Sequence, residues 1–368
     1  MLGLLLILIF LRPFISSLAF PEVNFWYLSV FFVIIIAWFI HKKPPINCFA
    51  KIKLPLFIFI FALFYSSLLS PFRPAALIQL FQYTGGLALF LVCACLSQED
   101  KQEVAYSLLV CGILVACLAI RQYLFGFNAL QDFAAKKGLT DQFLADCLLS
   151  RRVFMPFTTP NMLAGYLAML IGLSLAARYR ILFILFFLPA LLLTRSLGGI
   201  LSVFCGLLIY ALLRKWSWKR FFALSMLFTV IITVMLYLRL NTGKEHLHFD
   251  FSVFMRLDYW KDTFGMVLAH PLTGVGLGNF NLTYSRYAHN ILLQLWAETG
   301  IVGLISFLWL VVAVFFAGLR SKINLNWKPA LAAASLIFLL HNLVDFSFFL
   351  PETAFIWWVI LGLFYQPE

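Results

Sequence analysis

The chain has 368 residues, of which 63% are hydrophobic and 11% are charged, and its mean hydropathy is +0.97. A soluble globular domain is about half apolar and about a quarter charged, so this composition excludes an ordinary soluble protein. The formal net charge is +12. No basic run with interleaved aromatic residues lies in a soluble setting, and excess Lys and Arg are typical of the cytoplasmic loops of membrane proteins, so we expect a lipid bilayer and no nucleic acid as a partner.

Apolar runs follow one another along the whole chain. A helical span needs about 20 apolar residues to cross a hydrocarbon core of about 30 Å. The runs lie at 1–20, 24–41, 52–69, 75–97, 104–125, 160–177, 181–194, 197–213, 221–238, 291–318, 329–349 and 353–365. The sequence therefore predicts an all-α, polytopic membrane protein with about twelve transmembrane helices, forming a single integral membrane domain over 1–368.

The first run, 1–20, lacks the basic flank and the cleavage site of a signal peptide, so it is predicted to be a retained span. Arg12 and Pro13 interrupt this run and predict a kink in its helix.

The distribution of Lys and Arg between the loops predicts the topology. If the N-terminus is cytoplasmic, the short loops assigned to the cytoplasm are all basic, whereas the short outside turns hold only Arg73 and Arg195. The basic residues assigned to the cytoplasm are Lys42, Lys43, Lys51, Lys53, Lys101, Arg178, Arg180, Arg214, Lys215, Lys219, Arg220, Arg320, Lys322 and Lys328. Both termini are then cytoplasmic, and two long loops face outside, a smaller one at 126–159 and a larger one at 239–290.

The larger loop contains a helical pattern followed by glycines. In 252–269 the residues at helical spacing on one side are Phe254, Leu257, Trp260, Phe264 and Val267. They predict an amphipathic helix that lies on the membrane surface, packs on the protein, or does both. His270-Pro271 should end this helix. The glycines at 274, 276 and 278 then predict either a tight turn or a backbone that approaches a phosphate closely. They are not a nucleotide-binding fingerprint, because no strand precedes them.

The outside face also holds the residues best suited to chemistry. His289 lies where the larger loop re-enters the membrane. A histidine at a helix start is usually structural, but neutral imidazole accepts a proton well near neutral pH. The arginines assigned to this face are Arg151, Arg152, Arg195, Arg239, Arg256 and Arg286. Guanidinium groups bind phosphate oxygens bidentately, so these arginines predict either a lipid diphosphate site or contact with anionic headgroups.

The motifs of 256–304 together resemble the O-antigen ligase and polymerase superfamily. The stretch contains Arg256-x-x-x-Trp, His-Pro-Leu-Thr-Gly-Val-Gly-x-Gly-Asn-Phe, Ala-His-Asn and Glu-Thr-Gly-Ile-x-Gly-Leu in this order. Pro160-Asn-Met-Leu-Ala-Gly-Tyr166 is similar to another family motif, although Thr159 replaces its first Asn. Leu193-Thr-Arg-Ser-Leu-Gly-Gly199 is similar to the family's Ser-Arg-Gly turn, with the arginine displaced toward the N-terminus. The resemblance covers roughly 150–320.

The resemblance implies a GT-C-like fold in the bacterial inner membrane with an active site that faces the periplasm. It implies an O-antigen ligase-like glycosyltransferase of lipopolysaccharide biosynthesis. Such an enzyme moves a glycan from undecaprenyl diphosphate to an acceptor hydroxyl such as a lipid A core sugar, without a metal or other cofactor. Direct displacement of the diphosphate by the acceptor oxygen would invert the anomeric centre. O-antigen or exopolysaccharide polymerases and protein O-glycosylating enzymes share the motifs and stay open as alternatives. A solute transporter is the non-enzyme alternative, but two related halves are not evident in the sequence.

The resemblance also assigns roles to individual residues. His289 matches the family's essential histidine and is the expected catalytic base. Arg256 matches the arginine of the large loop, and Arg195 is the nearest candidate for the turn arginine; both are expected to bind the diphosphate. We expect Asp345 and His341 to be structural. The secondary candidates are Arg152, Asn161, Arg286 and Asn290.

Overall fold

The computed structural model describes residues 1–44, 46–138, 145, 148–240, 249–321 and 326–366. Helices make up most of these residues, and no strand occurs among them, which confirms the predicted all-α class. The α-helices are α1 Leu2–Leu11, α2 Pro21–Lys42, α3 Lys53–Leu69, α4 Arg73–Ala94, α5 Gln98–Arg121, α6 Phe127–Lys137, α7 Pro160–Ser174, α8 Arg180–Leu193, α9 Leu197–Leu213, α10 Trp218–Leu240, α11 Phe249–Ala269, α12 Ile291–Arg320, α13 Trp327–His341 and α14 Pro351–Phe364.

Each predicted apolar run overlaps an apolar helix. Among the described residues, five helical segments are long and apolar enough to cross a membrane: 21–42, 73–94, 98–137, 218–237 and 291–320. The other apolar helices have 10–17 residues. A 15-residue helix is only about 22 Å long, so such a helix reaches both membrane surfaces only together with its flanking residues. The helices are those of a polytopic membrane protein, while twelve spans and a GT-C-like arrangement stay predictions.

The first predicted span ends early instead of kinking. Helix α1 ends at Leu11, and Arg12 opens a single 3₁₀ turn. The guanidinium of Arg12 is 1% exposed, forms an ion pair of 3.2 Å with Glu352, donates a hydrogen bond of 2.8 Å to Asn24 and lies 4.9 Å from the ring centroid of Tyr27. A buried cation needs such partners, so Arg12 fixes this turn against α2 and the start of α14.

The predicted span 329–349 is also broken. Helix α13 ends at His341, and a 3₁₀ turn at Ser347–Phe349 precedes α14. The side-chain oxygen of Asn342 accepts hydrogen bonds from the backbone N–H of Phe348 at 2.7 Å and from the hydroxyl of Ser347 at 3.3 Å. These bonds satisfy the irregular backbone inside the protein, where water is excluded.

The two predicted loops contain helices. The smaller one, 126–159, begins as α6, which continues from α5 through a π-helical turn at Gln122–Gly126. The larger one, 239–290, contains α11. Parts of both loops, 139–144, 146–147 and 241–248, lie outside the described residues, as does the side chain of Arg239.

Helix α14 is the centre of the bundle, since every one of its residues is buried. It packs against α4 and α13, and α13 packs against α7 and α9. Helices α7 and α9 therefore run beside α13, and the starts of α7 and α9 lie at the same end of the bundle as the end of α13. The candidate site lies at this end.

Candidate active site

Helix α11 holds Arg256 against the broken segment that follows α13. The Nε of Arg256 donates to the carbonyl of Val344 at 2.8 Å, and its Nη1 donates to the carbonyl of Ser252 at 2.8 Å and to the hydroxyl of Ser252. Burial lowers the pKa of Arg256, and the negative charge of Asp345 acts against that shift. The guanidinium is thus charged, partly buried and fixed before any ligand arrives.

A helix over this stretch is confirmed, and its apolar residues divide between two surroundings. Val267 is buried against the loop and α12, whereas Phe254, Leu257 and Phe264 are exposed. One side of α11 therefore packs on the protein. The exposed apolar residues are available to a lipid surface, so lying on the membrane stays a prediction. The helix ends at Ala269, immediately before His270-Pro271, as predicted.

Two of the predicted arginines line one cavity, which we call the site cavity. It has a volume of about 170 Å³, and Arg152, Arg256, Asn161 and His341 contribute to its lining. The Nη2 of Arg152 donates to Oδ1 of Asn161 at 3.0 Å, and its Nε donates to the carbonyl of Thr194 at 2.8 Å. The structure thus brings Arg152, Asn161 and Arg256 together, although they lie far apart in the sequence.

Three other predicted site residues, Arg195, Arg286 and Asn290, do not line the site cavity. Arg195 lies in the turn between α8 and α9 with a φ of 51°, next to the carbonyl that holds Arg152, but it does not line the site cavity. Arg286 is exposed in the loop before α12. Asn290 caps α12, since its Oδ1 accepts from the backbone N–H of Leu292 at 2.9 Å and of Leu293 at 3.1 Å.

His289 lies against α11, one helical turn from Arg256. Its ring stacks on Tyr259 with 5.3 Å between centroids and meets the edge of Phe346 at 4.9 Å. Tyr259 follows Arg256 by three residues, so the two side chains share a face of α11 and lie about 5 Å apart along its axis. His289 itself does not line the site cavity. The structure therefore places His289 close to Arg256 beside α11, although His289 and Arg256 do not line one cavity together.

The surroundings of His289 keep its imidazole neutral. Burial lowers the pKa of His289 to about 4; the charge of Arg256 lowers it as well, and that of Asp345 raises it. Within the described part of the chain, its Nδ1 is buried without a hydrogen-bond partner. A neutral imidazole near pH 7 is the form that can accept a proton.

Asp345, which was expected from the sequence to be only structural, lies at this site. Its buried Oδ2 lies 3.4 Å from Nε2 of His341 and accepts the backbone N–H of Ser347 at 3.1 Å, and its charge acts on both His289 and Arg256. The same Nε2 of His341 lies 3.1 Å from the carbonyl oxygen of Asn161. Both neighbours are acceptors, so Nε2 carries the proton. The signal in the sequence was a histidine and an aspartate four residues apart in an apolar run.

The glycine-rich turn contacts protein backbone. Gly274, Gly276 and Gly278 have φ values of 68°, 98° and 68°. A β-carbon on Gly274 would lie 2.4 Å from the carbonyl oxygen of Glu298, and one on Gly276 would lie 2.5 Å from the Cα of Ser70. These approaches favour the tight-turn interpretation over a phosphate-binding one. The turn joins the larger loop to α3 and α12, which positions the loop that carries His289.

Comparison with known families agrees with the motifs. Residues 181–308 match the family model described as "O-Antigen ligase". The matched segment runs from α8 into α12 and contains Arg195, Arg256 and His289, while Arg152, Asn161 and Asp345 lie beyond it. No curated protein matches the chain. The family match confirms, over this segment, the resemblance to the O-antigen ligase superfamily found in the motifs, and it indicates a glycosyltransferase-like membrane enzyme.

Proposed function

We propose that this protein is an O-antigen ligase-like glycosyltransferase of the bacterial inner membrane. It moves a glycan from undecaprenyl diphosphate to an acceptor hydroxyl, such as that of a lipid A core sugar, on the periplasmic face. The observation that carries the proposal is the neutral, partly buried imidazole of His289 one helical turn from Arg256, beside a cavity lined by two arginines.

The two arginines of the site cavity suit a diphosphate leaving group. Among the described residues, the lining of the cavity contains these two arginines and no acidic side chain. Hydrogen bonds to Thr194 and Val344 hold both guanidinium groups in place. Fixed positive charges stabilise negative charge that develops on the leaving oxygen, without reorganisation during the reaction. Arg195, in the adjacent turn, is a further diphosphate ligand in this proposal.

His289 acts as the base on the acceptor side. The acceptor oxygen attacks the anomeric carbon, its proton passes to the neutral imidazole, and the bond to the diphosphate breaks with both electrons on the leaving oxygen. The diphosphate leaves as an anion and needs no proton. The anomeric centre inverts, because a single displacement occurs. Asp345 favours the imidazolium that forms, since its charge raises the pKa of His289.

The subclass is decided by the acceptor. A polymerase would use a second carrier-linked glycan, and a protein O-glycosylating enzyme would use a Ser or Thr hydroxyl. We propose the ligase reaction and use the other acceptors as separate arms of the test. A solute transporter would move a solute across the bilayer without forming a glycosidic bond.

The test is reconstitution in proteoliposomes with an undecaprenyl diphosphate-linked glycan and each acceptor in turn. We expect transfer to lipid A core, and a loss of about 10²- to 10⁴-fold with His289→Ala, the usual contribution of a general base. Arg256→Ala should also reduce transfer strongly. The matched control is His270→Ala, which removes an exposed imidazole from the same loop and should leave transfer unchanged. Transfer that persists in the His289 and Arg256 variants would exclude the proposed roles, and transfer only to another acceptor would reassign the subclass.

A further inference from the structure

A second cavity lies at the opposite ends of the helices that form the site. The site cavity is lined by Asn161 at the start of α7 and His341 at the end of α13, whereas the second cavity is lined by Leu175 after α7 and Asn326 before α13. These helices have 15 residues each, so the two cavities are separated by about 22 Å of helix. This separation approaches the thickness of a hydrocarbon core, which places the second cavity near the opposite membrane interface.

The second cavity, which we call the basic cavity, is larger and strongly positive. Its volume is about 550 Å³, and Arg178, Arg180 and Arg214 line it together. None of the described residues that line it is acidic. The guanidinium of Arg178 lies 5.5 Å from the ring centroid of Tyr179, and Nη1 of Arg214 donates to Oδ1 of Asn326 at 3.3 Å. Three guanidinium groups around one cavity match the several oxygens of a phosphate group.

The wall of the basic cavity is apolar on the side of α8. Tyr179, Ile181 and Leu182 line it and are 59%, 70% and 47% exposed. A free phosphate would use only the arginines and would leave these side chains without a function. A phospholipid would use both parts, because its phosphate would meet the guanidinium groups while its acyl chain lies along α8.

We propose that the basic cavity binds the phosphate group of an anionic phospholipid from the leaflet opposite the active site. A free phosphate and a phospholipid would both present a phosphate anion to Arg178, Arg180 and Arg214. The apolar wall on α8 favours the phospholipid, because only the lipid has an acyl chain that can lie against it. The ligand makes no contact with the site cavity, so this binding is independent of the proposed transfer reaction.

The test is native mass spectrometry of the full-length protein titrated with phosphatidylglycerol in detergent. We expect one phosphatidylglycerol to remain bound to the wild type and phosphatidylcholine to bind much more weakly. The triple variant Arg178→Gln/Arg180→Gln/Arg214→Gln should weaken phosphatidylglycerol binding by about 100-fold, since each basic residue at an anionic surface contributes about 1 kcal/mol. A parallel titration adds inorganic phosphate at the same concentration, and we expect it to leave the bound lipid in place.

The matched control removes three other positive charges. Lys42, Lys43 and Lys53 are exposed, are assigned by the charge pattern to the same membrane face and do not line the basic cavity. The variant Lys42→Gln/Lys43→Gln/Lys53→Gln should retain the lipid. Equal losses in both triple variants would show general surface attraction and overturn the proposed site. Displacement of the lipid by inorganic phosphate alone would overturn the lipid assignment in favour of a free anion.

Discussion

The pKa of His289 gives the sharpest prediction of the proposed mechanism. Only the neutral imidazole accepts a proton, so kcat/KM should fall where the free enzyme's histidine becomes protonated. Burial sets that pKa at about 4. At pH 5, about nine-tenths of the enzyme would still hold neutral His289, whereas a histidine with an ordinary pKa of about 6.5 would be only about 3% neutral. The two cases differ by about 30-fold in kcat/KM at pH 5.

The assay is the initial rate of transfer at low donor concentration, measured in proteoliposomes from about pH 4.5 to 8. We expect a nearly constant kcat/KM down to about pH 5. A half-maximal value near pH 6.5 would refute the argument, because it would mean that the imidazole of the working enzyme is solvated or that another group is the base.

Four further predictions concern the site and the bundle. Asp345→Asn should lower kcat/KM and shift the fall of kcat/KM on the acid side to a lower pH, because the carboxylate raises the pKa of His289. A fall of kcat/KM at a higher pH than in the wild type would contradict this. Arg256→Gln should leave a residual activity whose kcat/KM falls at a higher pH than in the wild type, because the guanidinium of Arg256 lowers the pKa of His289. Both variants are measured with the same profile of kcat/KM against pH. Gly300→Ala should lower the melting temperature in detergent, because φ is 69° and the new β-carbon would lie 1.9 Å from a carbonyl oxygen; the control Gly265→Ala has open space and should not be destabilised. Glu352→Gln should cost about 3–5 kcal/mol of unfolding free energy by leaving a buried cation without its counter-charge, and a melting temperature equal to wild type would show that the ion pair is not needed.

The helices were predictable because each apolar run is long enough to cross the hydrocarbon core, where the backbone must form its hydrogen bonds within a helix. The breaks inside the runs were harder to predict. The run 329–349 has enough apolar residues for a span, but Asn342 and Asp345 bind backbone N–H groups and end the helix at His341. A polar residue in an apolar run indicates a polar contact or a functional site inside the membrane, yet it does not show whether the helix ends there or continues past the residue.

The candidate site was predictable where a contiguous motif carries it and unpredictable where the fold assembles it. His289 and Arg256 could be chosen from the motifs of the large loop. Asp345 could not be assigned, because its proximity to both residues depends on how α11 packs against the segment after α13. The shared cavity of Arg152 and Arg256 likewise results from packing between segments that are distant in the sequence.

The ion pair of Arg12 and Glu352 constrains how the protein is made. The two residues are 340 positions apart, so nearly the whole chain is synthesised before the arginine meets its carboxylate. Until then the arginine must keep its charge in contact with water or lipid headgroups, because hydrocarbon does not solvate it. The charge of Arg12 is therefore neutralised by its ion pair only once α14 packs against the turn that follows α1.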